Sequence, residues 1–134
     1  MNRRPLVAGN WKMNELRAEG IALATGIADF YAGLTAPKCD VLVCPPALWV
    51  AGVADAVKDK IAVGAQDAHA AESGAHTGDI SVPMIKDAGA TYVIVGHSER
   101  RTDHHETDAD VKAKAAAVIK HGLTAVICIG ETEA

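Results

Sequence analysis

An α/β fold built on a parallel sheet is predicted for these 134 residues. Three observations predict it. Five short apolar runs are continuous and not alternating, which suits strands buried on both faces. The stretches between them carry apolar residues at three- and four-residue steps, as amphipathic helices do. The two kinds alternate along the chain, and strand-helix-strand alternation implies right-handed crossovers and parallel pairing.

The elements follow in order. "PLVAG" (5–9) reads as the first strand and runs into polar Asn10 and Lys12. Leu16, Leu23, Ile27, Phe30 and Leu34 then mark one helix face, with a step missed near Gly20. "DVLVC" (40–44) is the second strand, stopped by Pro45 and Pro46, and Leu48, Ala51, Ala54 and Val57 give a shorter helical stripe. "IAVGA" (61–65) is the third strand. Ser81 is a candidate cap for a third helix, with Pro83 tolerated in its first turn. "TYVIVG" (91–96) is the fourth strand. Val111, Ala115, Val118 and Ile119 mark a further helix stopped by Gly122, and "TAVICIG" (124–130) is the fifth strand. Two architectures use this order, an open doubly wound sheet and a (β/α)8 barrel. Both place sites at the carboxyl ends of the strands.

Composition narrows the function classes. Apolar residues make up 49% and charged residues 22%, an ordinary balance for a globular domain with a core. Aromatics are only 4%, so Ala, Val, Ile and Leu must fill that core. A net charge of -4 without a basic block argues against nucleic acid as the main partner. No run reaches the roughly 18–20 apolar residues of a membrane span. Asn10 and Lys12 interrupt any signal-peptide core, so a cytoplasmic location is expected. Cys39, Cys44 and Cys128 lack CxxC spacing and fit reduced, buried thiols.

The strand ends carry the candidate chemistry. Asn10 and Lys12 stand two apart, so in extended chain both side chains point one way. His97, Ser98 and Glu99 follow the fourth strand, and Glu131 follows the fifth. An amide, an ammonium and an imidazole that converge can hold and polarise an oxyanion, which suits an anionic or carbonyl substrate. Taken singly, each has a plainer reading: turn chemistry for Asn10, a solvated charge for Lys12, a hydrogen-bonded structural histidine for His97, and rim salt bridges for Arg100 and Arg101. The six histidines show no HxxxH spacing, so no metal site is expected. No GxGxxG or GxxxxGK[ST] supports a nucleotide cofactor. The connection at 66–79, with His69, His76 and Thr77, exceeds the roughly 12 residues usual for a loop without a function.

"GNWKMN" (9–14), "GAHTGDIS" (74–81), "GHSERR" (96–101) and "CIGE" (128–131) resemble, in order and spacing, the triosephosphate isomerase family. The resemblance runs from about residue 5 to the last residue. It implies a (β/α)8 TIM barrel in one domain. It also implies an enzyme that interconverts dihydroxyacetone phosphate and D-glyceraldehyde 3-phosphate through an enediolate, in glycolysis and gluconeogenesis. No cofactor and no metal are implied. The resemblance further implies tuned acid-base chemistry, with a neutral histidine as electrophile. By the same resemblance, Lys12 supplies positive charge to the phosphate and enediolate, and Asn10 positions the substrate. His97 polarises the carbonyl and shuttles protons, and Glu99 supports Lys12. A helix beginning after "GHSERR" would disfavour the protonated imidazole. Ser98 takes a supporting part, and Cys128 and Glu131 structural ones. The long loop implies a homodimer in which Thr77, Gly78 and Gln66 lie in the contact region.

Such a barrel typically needs about 250 residues and eight strands. Residues 1–134 are therefore expected to hold the first four βα units and the fifth strand, with the C-terminal half of the domain absent. The family's glutamate base, its lid and its glycine-rich phosphate loops fall in that missing half. The expected outcome is an electrophile half that is inactive alone and needs its complement. The alternative is a non-catalytic half-barrel module that self-associates or binds anions.

Overall fold

The computed structural model describes residues 3–131. Five strands form one sheet: β1 (Leu6–Asn10), β2 (Asp40–Cys44), β3 (Ala62–Ala65), β4 (Tyr92–Val95) and β5 (Thr124–Ile127). Every neighbouring pair is parallel and the spatial order is β1-β2-β3-β4-β5. That order decides between the two architectures. A doubly wound sheet reverses its strand order at a switch point, whereas a barrel adds each strand beside the last. The sheet is an arc of a barrel.

The two faces of the arc differ as that geometry requires. Leu42, Cys44 and Ile94 form a small cluster on one side, joined only by other strand residues and Cys128. The opposite face presents Val43, Val63, Ala65, Val93 and Val95 to the helices, and the main core lies there. The helices are α1 (Arg17–Ala32), α2 (Ala47–Val57), α3 (Val82–Asp87), α4 (Ser98–Asp103) and α5 (Asp108–Lys120). Each of α1, α2, α3 and α5 follows a strand and carries the chain back for the next. Ser81 caps α3 by accepting the Met84 N–H at 3.3 Å. Thr107 and Asp110 close a reciprocal capping box at the start of α5. Among the described residues no helix is long and apolar enough to cross a membrane.

Two helical stripes read from the sequence are not the packed faces. On α1 the buried residues are Gly20, Ala24 and Ala28, while Phe30 is 71% exposed and Leu16 70%. At Gly20 a small residue wins because the space is already filled: a Cβ there would lie 3.2 Å from the Trp11 ring. On α2 the buried set is Val50, Val53 and Val57, and Leu48 points outward. Val111, Ala115 and Val118 of α5 are buried as the spacing predicts, but Ile119 is exposed. Of the cysteines only Cys44 is buried, with Cys39 and Cys128 partly exposed.

Apolar side chains also remain open on both edge strands. Val7 of β1 and Ile127 of β5 are each more than half exposed. Both register with helix-facing positions of the neighbouring strands, Val7 beside Val41 and Ile127 beside Val95. At each end of the arc the helix layer stops short of the sheet.

Candidate functional site

The carboxyl ends of β1, β3 and β4 open into one cavity of about 890 Å³, lined in part by Asn10, Lys12, Gln66, His97 and Glu99. At β1 the chain does not stay extended, contrary to the expectation for Asn10 and Lys12. Lys12 turns into the left-handed region at φ +57° and Glu15 does so at +76°. Asn10 makes the turn by accepting the Lys12 N–H on Oδ1 at 2.9 Å, a local bond that asparagine forms readily. Trp11 continues the ladder, donating its N–H to Cys44 O at 3.1 Å. Gln66, at the end of β3, donates from Nε2 to Lys12 O at 2.7 Å and to Cys44 O at 2.9 Å. Trp49 of α2 donates its indole N–H to Glu15 O at 3.0 Å. Two non-glycine residues are thus held in a sparsely populated conformation, each with its carbonyl anchored from another element.

At β4, Gly96 has φ +74° and lets the chain turn into α4, whose N-cap is His97. His97 Nδ1 accepts the Glu99 backbone N–H at 3.1 Å and also lies 3.4 Å from Glu99 Oε1. Nδ1 cannot accept from one and donate to the other. The backbone N–H is fixed by the helix, while the carboxylate is half exposed and also faces Lys12, so acceptance decides the state. An Nδ1 that accepts the backbone N–H leaves Nε2 as the ring's donor. Glu99 Oε2 lies 3.4 Å from Lys12 Nζ. Half exposed on both sides, that pair is worth only ~0–1 kcal/mol and acts by orienting the ammonium. Ser98 is exposed at the start of α4, and Glu131 is exposed beyond β5.

A partly buried charge cluster behind the rim was not legible in the motifs. Arg100 Nε lies 3.0 Å from Asp67 Oδ2 and 3.2 Å from Glu106 Oε2. Lys114 Nζ lies 2.9 Å from Asp67 Oδ1 and 2.6 Å from Glu106 Oε2. Burial by itself pushes the Glu106 carboxyl up, but the hydrogen bond and charge of Lys114, then Arg100, outweigh it and hold the carboxyl below its ordinary range. Burial likewise pulls Lys114 down, and Glu106 and Asp67 outweigh it and hold the ammonium above its ordinary range. Because the four residues span positions 67 to 114, no local spacing announces them. Arg100 answers to its rim salt-bridge reading. Arg101 does not stop there, since it also donates to the carbonyls of Gly96 and Cys128.

The loop between β3 and α3 is the long one expected. His69 N–H pairs with Ile80 O at its base. Asp79 N–H closes a turn on His76 O at 2.9 Å, with Gly78 at φ +90° in its third position and Thr77 exposed at its tip. His69, His76 and Asp79 bring one donor atom each within 4.8 Å, a grouping hidden from any motif spacing. It is a poor metal cradle as it stands. His69 Nδ1 already accepts the Ala71 N–H at 2.9 Å, so the other ring nitrogen carries the proton and presents no lone pair.

Comparison with known proteins agrees with this geometry. The family model for triosephosphate isomerase matches residues 5–134. The chain is similar to a triosephosphate isomerase of Afipia carboxidovorans, at 57% identity over 98% of this chain and 52% of that protein. One from Ruegeria is 58% identical over 96% of this chain and 50% of its own length. The crystal structure of the triosephosphate isomerase of Bartonella henselae superposes with a TM-score of 0.90 at 43% identity, covering 97% of this chain and 53% of that one. The chain spans about half the length of the curated relatives it matches. A half-barrel of five parallel strands, with this family's motifs at its rim, belongs to the triosephosphate isomerase family.

Proposed function

We propose that this chain supplies the substrate-holding and electrophilic part of a triosephosphate isomerase site. The substrate class is a triose phosphate, interconverted between ketose and aldose through an enediolate. One observation carries the reading: a single carboxylate, Glu99, stands 3.4 Å from both Lys12 Nζ and His97 Nδ1 at the cavity rim. Lys12 then faces the phosphate and the developing negative charge. Asn10, whose Oδ1 is occupied by the Lys12 N–H, offers its amide NH2 to the substrate. His97 offers Nε2–H to the carbonyl oxygen and moves a proton between the two substrate oxygens. A neutral donor suits that task, because it shares a proton with an enediol without being trapped as an ion pair.

The carboxylate base that removes the carbon-bound proton is proposed to come from outside these 134 residues, so the chain alone is inactive. Exposed apolar positions on both edge strands, Val7 and Ile127, support the need for a complementary half-barrel. A homodimer is the second part of the proposal, with Thr77 and Gly78 on the loop tip entering a partner.

The test is turnover of D-glyceraldehyde 3-phosphate by the purified chain, alone and after addition of the C-terminal half of a relative. Activity only in the mixture supports the reading, and near-normal activity from the chain alone overturns the external base. Phosphate binding without turnover in either sample favours a non-catalytic anion-binding half-barrel. Sedimentation of the wild type and of Thr77→Asp reads the dimer separately.

A further inference from the structure

The orientation of His97 depends on a helix with little packing of its own. α4 buries none of its residues, so apolar contact does not set its direction. The imidazole is bonded to the helix's own backbone through the Glu99 N–H, so ring and first turn move as one body. What holds that body to the sheet is polar.

Arg101 reaches back from α4 to the strand ends. Its Nε donates to Gly96 O at 2.8 Å, the carbonyl immediately before His97. One terminal nitrogen donates to Cys128 O at 3.0 Å and the other to Asp108 Oδ1 at 2.6 Å. Cys128 is itself fixed, since its N–H donates to Val95 O at 2.9 Å. One guanidinium therefore ties the turn carrying His97 to the end of β5 and to the first residue of α5. The fork is specific to arginine, because three separate acceptors are met by one rigid plane.

We propose that Arg101 is a positioning residue for His97, holding the α4 turn so that Nδ1 stays on the Glu99 N–H and Nε2–H stays aimed into the cavity. The value of that aim rests on the proposed isomerase reading, but the geometry does not. If Arg101 only stapled β4 to β5, its loss would lower stability and leave the histidine ring unchanged.

Long-range 1H–15N NMR of His97 in the 134-residue chain distinguishes these. The wild type is expected to show one tautomer, protonated on Nε2. Arg101→Met is expected to give mixed tautomers and to speed exchange of the Glu99 amide by ~10-fold or more, as carbonyls losing a charged donor require. Arg101→Lys, which keeps the charge and one donor, should fall between, and it carries the test if Arg101→Met does not fold. Asp108→Asn, changed at an exposed residue, should move the same signals least. A single tautomer with unchanged Glu99 exchange in Arg101→Lys and in any folded Arg101→Met overturns the proposal, whatever happens to the melting temperature. Titration with inorganic phosphate runs alongside. Failure to bind phosphate by a wild type whose His97 responds to Arg101 supports the positioning role and counts against the isomerase reading alone.

Discussion

Gln66 donates from a single amide nitrogen to the carbonyl of Lys12 at 2.7 Å and to that of Cys44 at 2.9 Å. One side chain just past β3 thereby holds the loop after β1 against the end of β2, at the residue whose φ is +57°. Gln66→Met removes both bonds without removing bulk. It should lower the melting temperature by roughly 5–10 °C, read by circular dichroism, and weaken phosphate binding through Lys12. In Gln66→Glu a carboxylate faces two carbonyls, so its ionised form is disfavoured and its folded pKa is raised. That variant should gain stability as pH falls through the raised value. A melting temperature indifferent to both changes would remove the clamp.

Glu106 gives the fold a defined acid limit. Its folded pKa is held below the ordinary 4.5, so its stabilising contribution is complete above that value and is lost as pH falls through the lower, folded one. Lys114 is the mirror case: raised above 10.5, its contribution is complete below 10.5 and fades at higher pH. The melting temperature should therefore change little near neutrality on this cluster's account and drop in acid. Glu106→Gln, which leaves Lys114 and Arg100 facing Asp67 alone, should cost about 1.5–3 kcal/mol at pH 7 and flatten the acid slope. Chemical denaturation at pH 3.5 and pH 7 measures both.

Gly96 leaves no room for a side chain. A Cβ there would sit 2.8 Å from Val111 Cγ1 and 2.9 Å from Cys128 O, with the backbone at φ +74°. Those neighbours are the α5 core and a backbone carbonyl, neither free to retreat. Gly96→Ala should destabilise by about 2–4 kcal/mol from strain and overpacking together, measured by urea denaturation. A loss under 1 kcal/mol would mean the turn relaxes, contrary to this packing.

Burial pushes the Cys44 thiol up to about 12. Its neutral form is thus favoured by folding, a contribution complete below the ordinary 9.0 and lost as pH rises toward 12. At pH 8.5 iodoacetamide should alkylate Cys39 at least ~100-fold faster than Cys44, which must wait for the chain to open. Peptide mass spectrometry of timed samples reads the ratio, and equal rates would contradict the burial.

Continuous runs such as "DVLVC" and "TYVIVG" were enough to read parallel strands, because burial on both faces removes the alternation other strands show. The rim motifs announced Asn10, Lys12, His97 and Glu99 because those residues cluster in short stretches at strand ends. Sequence misjudged which face of α1 packs, since Leu16 and Phe30 outrank Gly20 and Ala24 in hydrophobicity but lose to them where, as beside the Trp11 ring at Gly20, a neighbour leaves no room for a larger side chain. It was silent on Asp67, Glu106 and Lys114, which meet only when β3, the α4–α5 connection and α5 are brought together. Local pattern and family motif therefore specified the elements, their parallel order and the polar residues at their tips. The left-handed turn of Lys12, the orientation of the His97 ring and the reach of Arg101 to two strand ends came from tertiary packing, because each is set by a hydrogen bond whose geometry no one-dimensional spacing contains.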